Sequence, residues 1–364
     1  MTIELRDGDV QAFFDVPFNA YTRDVGYISP LGSDIKRMLD AKANPLWLTG
    51  NPFRFWTAHR DSRPVGRIVA HLHGQSNARH TTLRAQFGFF DCADDADAAR
   101  ALLNAAVAFT REHGMSELVG NFNLTAMQQA GVMTEGFGRP AYTDMVVNPP
   151  HIPRLLAANG FAPFFPMTTF ELDLDKANIN ALRDLEPDAA YRFAPVRPQT
   201  FPERMEEARL VLNDGFARNP MFVPLTEAEF RFQAGEMSSI LDPRLSSVLL
   251  QDEKPVGTVI CIPDLNGFLA ATRSRLGLLT PFHYLRYRLN RRRAVIIFYA
   301  VAEAQHGRGV MGAMLKRTIA ALRDASYKQV GVTWIADVNA ASLRQMEKLG
   351  ARPLHRLHLF RKDV

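Results

Sequence analysis

The segment running from Ala294 to Leu322 constrains this chain more than any other. Ala294-Val-Ile-Ile-Phe-Tyr299-Ala-Val301 is apolar and rich in β-branched and aromatic residues, which predicts a strand. It leads through Glu303-Ala-Gln-His306-Gly307-Arg308-Gly309 into Met311, Leu315, Ile319 and Leu322, apolar positions at helical spacing. A strand joined to a helix by a glycine-rich turn places unpaired backbone N–H groups and the positive end of a helix dipole at one spot. Glycines let an anion approach that spot closely, and His306 and Arg308 add cationic character. The segment reads as an anion cradle, although a glycine pair is also a common plain joint between two elements.

Further evidence lies downstream. Val330-Gly-Val-Thr-Trp334-Ile-Ala-Asp337 is a second strand-like run, and Asn339-Ala-Ala-Ser342-Leu-Arg-Gln-Met-Glu347-Lys-Leu-Gly350 follows as a capped helix. Strand, glycine loop, helix, strand and Asn-x-x-Ser helix in this order resemble the GNAT superfamily of CoA-dependent N-acyltransferases. In that family an Arg/Gln-x-x-Gly-x-Gly/Ala loop grips the CoA pyrophosphate. Here His306 stands at the Arg/Gln position, Gly309 fits, Met311 replaces the usual small residue, and Gly312 follows it. The resemblance implies acyl-CoA as co-substrate, with no permanently bound cofactor. The pyrophosphate would lie on His306, Gly307, Arg308, Gly309, Val310, Met311 and Gly312, and the thioester arm on Phe298, Ala300 and Val301. Asn339 would orient the pantetheine. The family's tyrosine acid on the last helix has no counterpart among Arg344, Gln345 and Met346, so Tyr299 and Asp337 are the catalytic candidates, with Trp334 beside the substrate.

The same pattern occurs twice. Arg63-Pro-Val-Gly66 and Lys254-Pro-Val-Gly257 each follow a polar turn, Asp61-Ser62 and Asp252-Glu253, and each opens a β-branched strand. A second strand follows in each half (Leu83–Phe90 and Ala294–Val301), then a helix (Ala96–Glu112 and Val310–Ala325). Repetition in the same order predicts an internal duplication. The expected fold is mixed α/β (α+β): two tandem GNAT-like domains, each a mostly antiparallel sheet flanked by helices. Residues 1–180 would form the degenerate, acceptor-binding domain and 181–364 the CoA-binding one, with a basic insertion at 266–293. The polar passage Asp173 to Tyr191, including Asp184, Glu186, Pro187 and Asp188, marks the boundary. A chain of 364 residues, 47% hydrophobic, can fill two such cores.

The halves differ in chemistry. After its strand the first half carries Asp91-Cys-Ala-Asp94-Asp95-Ala-Asp97, with four carboxylates and no glycine, which would repel a pyrophosphate. The cofactor is therefore expected in the second half and the acceptor in the first. Its densest polar stretch holds Asn121, Asn123, Thr125, Gln128 and Gln129, then Glu135 and Tyr142-Thr-Asp144; Asn121, Asn123, Glu135 and Tyr142 are the substrate-binding candidates. Local helix caps and turns would account for the same residues. His71 and His73 share a strand face without a third ligand, so no metal site is expected. Cys92 and Cys261 read as buried thiols of a reducing cytoplasm.

The insertion carries seven arginines between Arg273 and Arg293 and no acid, with leucines, tyrosines and Phe282 between them. That composition suits phosphate-bearing surfaces, an anionic inner membrane foremost, though helical spacing separates the arginines imperfectly from the apolar side. Net charge is only +5, and no nucleic-acid partner is expected. No secretion signal or membrane-spanning run is evident, which points to a cytoplasmic protein, peripheral at most. Phe14-x-Val-Pro17-x-x-x-Tyr21, Pro30-Leu31, Asp40-x-x-x-Asn44-Pro45, Val65-Gly-Arg-Ile68, Thr134-Glu-Gly-Phe137, Ile262-Pro-Asp264-Leu-Asn266 and Thr333-Trp334-Ile335 are similar to GNAT-type bacterial ceramide synthases. That resemblance implies transfer of a long acyl chain from CoA to a sphingoid amine. Acetyl or aminoacyl transfer to a small soluble amine or peptide, and non-enzymatic binding of membrane or nucleic acid, are the alternative readings.

Overall fold

A computed structural model describes residues 2–125, 129–185, 190–235 and 237–364. Gln128 of the polar stretch and Glu186, Pro187 and Asp188 of the boundary passage lie outside the described residues. The first half contributes β1 (Ile3–Asp7), β2 (Phe53–Arg60), β3 (Arg63–Leu72), β4 (Arg84–Cys92), β5 (Glu117–Gly120), β6 (Val132–Glu135) and β7 (Ala162–Asp173). The second contributes β8 (Tyr191–Pro195), β9 (Ser247–Gln251), β10 (Lys254–Pro263), β11 (Arg293–Val301), β12 (Gln329–Ala336) and β13 (Arg352–Asp363).

The duplication is visible in detail. The hairpins β2–β3 and β9–β10 turn on Asp61-Ser62 (φ 50° and 64°) and Asp252-Glu253 (φ 49° and 60°), two-residue turns of the type whose twist matches that of paired strands. Each hairpin's glycine then admits the helix that follows. A β-carbon on Gly66 would lie 2.7 Å from Leu102 on helix Ala96–Glu112, and one on Gly257 would lie 2.6 Å from the Met314 sulfur on helix Val310–Asp324. The Pro-Val-Gly signature is thus a packing device used twice.

The two sheets are not separate. All strands join one sheet in the order β1-β2-β3-β4-β5-β13-β7-β12-β11-β10-β9-β8, with β6 on β13. The final strand β13 pairs with β5 of the first half, and β7 pairs with β12 of the second. Among the described residues only β4–β5 and β11–β12 run parallel. The expected mixed, mostly antiparallel architecture is present, and the halves 1–180 and 181–364 are knitted together through β7 and β13. Among the described residues no helix is long and apolar enough to cross a membrane, and both cysteines are buried and unpaired.

Candidate functional site

Each half contains one parallel strand pair that opens toward its C-terminal end, and the two openings are treated differently. In the second half, β11 and β12 stay in register only from Arg293↔Gln329 to Ile296↔Val332. Beyond that point the Thr333 hydroxyl donates to the Ile297 carbonyl at 2.9 Å, β11 bulges at Ile297 against β10, and a cavity of about 70 Å³ opens. Phe298, Tyr299, Trp334, Asn339 and Ser342 line it. In the first half, β4 and β5 part after Phe87↔Gly120, and the chain fills the gap itself. The side-chain Oδ1 of Asn121 accepts from the Phe90 N–H and that of Asn123 from the Phe89 N–H, at 3.1 and 2.8 Å. A β-carbon on Gly88 would sit 1.7 Å from the Phe122 carbonyl oxygen, so nothing else fits there.

The helices beside the two openings differ in the same sense. Helix Ala96–Glu112 is capped by Asp95, whose carboxylate accepts from the N–H groups of Asp97 and Ala98. Helix Val310–Asp324 has Gly309 at its start, φ 79°, and no side-chain cap. Among the described hydrogen bonds none takes the N–H of Val310, Met311 or Gly312. An open, uncapped helix start next to a strand opening is a ready anion site; a capped one carrying a carboxylate is not. His306, Gly307 and Arg308 are exposed around it.

Two of the glycines have a second cause that the sequence concealed. A β-carbon on Gly309 would lie 1.8 Å from the Asp184 carbonyl oxygen and one on Gly312 2.2 Å from that of Arg183. The connector between the halves therefore runs against this turn, where the Arg183 guanidinium donates to the Gly307 carbonyl and Lys316 pairs with Asp184 at 2.5 Å. Gly307 has φ 82° and open space around it. Gly309→Ala is expected to force the connector away and cost ~1–3 kcal/mol in a denaturant melt, against about 1 kcal/mol for Gly307→Ala. Equal small losses would contradict this packing.

A larger cavity, about 310 Å³, meets the smaller one at Asp144, Ile297 and Phe298, which line both. Its walls come from both halves: Ile28, Leu31 and Met38 from the N-terminal region, Phe232 and Met237 from the second half, and Leu265 and Leu269 from the start of the insertion. Arg37, Asn123, Gln129, Gln233 and Asn266 supply polar points. Asp144 stands at the junction with φ 68°, a conformation Asp tolerates better than most residues. Its neighbour Thr143 is latched: both its N–H and its hydroxyl donate to Asp264 at 2.9 Å, and the Leu265 N–H donates to that hydroxyl at 2.6 Å. Arg293 secures the latch, 3.3 Å from Asp264 and stacked 3.8 Å from the centre of the Tyr142 ring. Among the described residues no hydrogen bond or ion pair reaches the Asp144 carboxylate, and burial alone pushes it up to about 7.

The other candidates sort clearly. Tyr299 is buried with its hydroxyl beside Ser342, and burial pushes its pKa upward. Asn339 caps helix Ala340–Leu349 through the Ser342 N–H at 3.1 Å while lining the small cavity. Ala300 and Val301 are buried in β11 and touch neither cavity. Asp337 is not brought to the site: both its oxygens are held by Arg356. Glu135 is exposed on β6 and lines neither cavity. The Tyr142 hydroxyl donates to Glu171 at 2.6 Å, so that residue offers the large cavity its ring. Asn121 is engaged with β4, whereas Asn123 does the same and also faces the cavity. Asp144 itself was not singled out from Tyr142-Thr-Asp144; the signal was an acid amid amides and apolar residues.

Comparison with known proteins bears on the fold. Residues 215–351 match the Acetyltransferase (GNAT) family model. Over nearly its whole length the chain is 28% identical to Protein YghO of Escherichia coli K12 (99% of this chain, 94% of that one). It is 25% identical to a protein named Bacterial ceramide synthase of Caulobacter vibrioides NA1000 / CB15N (98% and 95%). Among solved structures, a tandem GNAT protein from the clavulanic acid biosynthesis pathway superimposes with a TM-score of 0.59 at 15% identity (99% and 98% covered), showing the same fold. A GCN5-related N-acetyltransferase from Sphaerobacter thermophilus gives 0.53 at 14% (99% and 95%). Residues 215–351 thus carry an acyltransferase domain of the GNAT type, and the chain as a whole has the fold of tandem GNAT proteins. Acyl-CoA is the co-substrate this fold uses.

Proposed function

We propose that the chain transfers a long acyl group from acyl-CoA to the amine of a lipid, in the manner of ceramide synthesis. The junction of the two cavities at Asp144 carries this reading. CoA would lie along the opening between β11 and β12, its pyrophosphate on the free N–H groups of Val310 to Gly312 with His306, Gly307, Arg308 and Gly309 around it, and its arm past Asn339 and Trp334. The thioester carbon then falls near Ile297 and Phe298, and the large, mostly apolar cavity receives the acyl chain and the acceptor. A carboxylate titrating near neutrality is matched to taking the proton from an attacking amine, because it is largely ionised at pH 7.5 yet basic enough to accept. The amine nitrogen bonds to the thioester carbon and the C–S bond breaks. Tyr299, neutral throughout this range, would return a proton to the departing thiolate.

An apolar chamber favours a lipid because each buried methylene contributes ~0.8 kcal/mol, and the Caulobacter relative is named for a lipid product. Peripheral contact with an anionic membrane through Arg273–Arg293 belongs to the same reading. The test is CoA release with acetyl- to stearoyl-CoA, each against long-chain bases and soluble amines. At least tenfold preference for the long donor and long acceptor is expected; preference for acetyl-CoA and a soluble amine would overturn the lipid assignment.

A further inference from the structure

The insertion has an outer face that none of the described residues covers. Among the described residues eleven large hydrophobic side chains are exposed, and six of them fall within fourteen positions: Leu276, Leu278, Leu279, Phe282, Leu285 and Leu289. That concentration is a patch, not the ordinary scatter of apolar groups on a surface. Helix Thr280–Asn290 explains how it arises. The ring centres of Tyr284 and Tyr287 lie 5.6 and 6.3 Å from that of Phe268 on helix Asn266–Thr272, so they occupy the inner side. Phe282, Leu285 and Leu289, spaced by three and four, then share the opposite side. The imperfect separation expected from the sequence is seen, with Arg286 one turn from Phe282, yet the tyrosines claim the inward positions and leave Phe282, Leu285 and Leu289 pointing outward.

The charges complete the surface. Arg275 is paired with Asp15, Arg291 with Asp242 and Arg293 with Asp264. Among the described residues Arg286 and Arg288, which border the stripe, have no partner, and no acid occurs between Leu265 and Arg293. A second copy docking stripe to stripe would bring four unpaired guanidinium groups together with no carboxylate between them. The combination fits an interface that is apolar below and negative at its rim. Helix Asn266–Thr272, on which the outer helix rests, supplies Asn266 and Leu269 to the wall of the large cavity.

We infer that this face, Leu276 to Leu289 with Arg286 and Arg288, docks the protein on an anionic bilayer and sets the cavity wall formed by Leu265, Asn266 and Leu269 at the membrane, where an amphiphilic amine enters. The route for the acceptor rests on the lipid reading above, whereas docking is measured without turnover. The experiment is co-sedimentation with phosphatidylcholine vesicles with and without phosphatidylglycerol, at low and high salt. The wild-type chain is expected to partition at least tenfold more strongly onto the anionic vesicles, less so at high salt. Leu278→Ser/Phe282→Ser/Leu285→Ser is expected to lose at least tenfold of that binding with an unchanged circular dichroism spectrum, and Arg286→Glu/Arg288→Glu to lose the anionic preference. Wild-type protein that stays in solution, a serine variant that still sediments, or a dimer that the serine variant dissociates would each overturn the inference. Any of these leaves acyl transfer untouched, while vesicle binding by a chain that releases no CoA would defeat the proposed reaction alone.

Discussion

Asp144→Asn is expected to lower CoA release with saturating amine by ~10²–10⁴-fold, the range that loss of a positioned general base produces, while leaving CoA binding intact. The wild-type rate should rise with pH and level off above the carboxyl's value of about 7, since only the ionised form accepts the amine's proton; the residual rate of the variant should lack that limb. Stability moves the other way. The folded protein holds this proton up to about pH 7, whereas the unfolded chain releases it near pH 4. Folding is thus favoured below the lower value and loses that contribution as pH rises through the upper one. The Asn variant should therefore melt higher than wild type at pH 8, with the difference vanishing near pH 4. A variant that retains activity, or that is less stable at pH 8, would mean the carboxylate is structural.

Tyr299→Phe is expected to lower kcat by ~10–10²-fold with little change in KM for acyl-CoA, because the lost proton matters only as the thiolate departs. The Ser342 side chain is the neighbour of the hydroxyl, so its removal is expected to cost the fold no more than that single contact, about 1 kcal/mol. With its pKa pushed upward by burial, the phenol stays protonated across the working range, so once the rate has levelled off above the Asp144 value the wild-type profile should hold a plateau to pH 9 and show no falling limb. Acyl donors with a more acidic leaving thiol should recover much of the loss. Equal loss with all donors would remove Tyr299 from the proton path.

The parts of this molecule that were legible in the sequence are those written locally. Residues 294–322 announce a strand, a glycine turn and a helix because the change in apolar spacing is contained in a single stretch. The duplication is legible because Asp61-Ser62 and Asp252-Glu253 carry the chemistry of their own turns. The asymmetry between halves is readable for the same reason, since Asp95 caps its helix from the adjacent position. What the sequence hides is set by partners far along the chain. Asp144 acquires its character from Asp264 through Thr143 and from walls that begin at Ile28. Asp337 looks like a site carboxylate until Arg356 returns on β13 to hold it. Gly309 reads as ligand-driven, yet the connector at Asp184 also requires it. The stripe on the insertion emerges only once Phe268 has drawn two tyrosines inward.

On the proposed function, one of two related openings is kept for CoA, and the other is closed by the chain's own loop. Titration calorimetry of CoA against the full-length protein measures this directly, through the number of sites. One CoA per chain is predicted, with the heat abolished when Ser342→Trp fills the opening between β11 and β12. Two sites per chain, none, or a single site indifferent to that substitution would contradict the account.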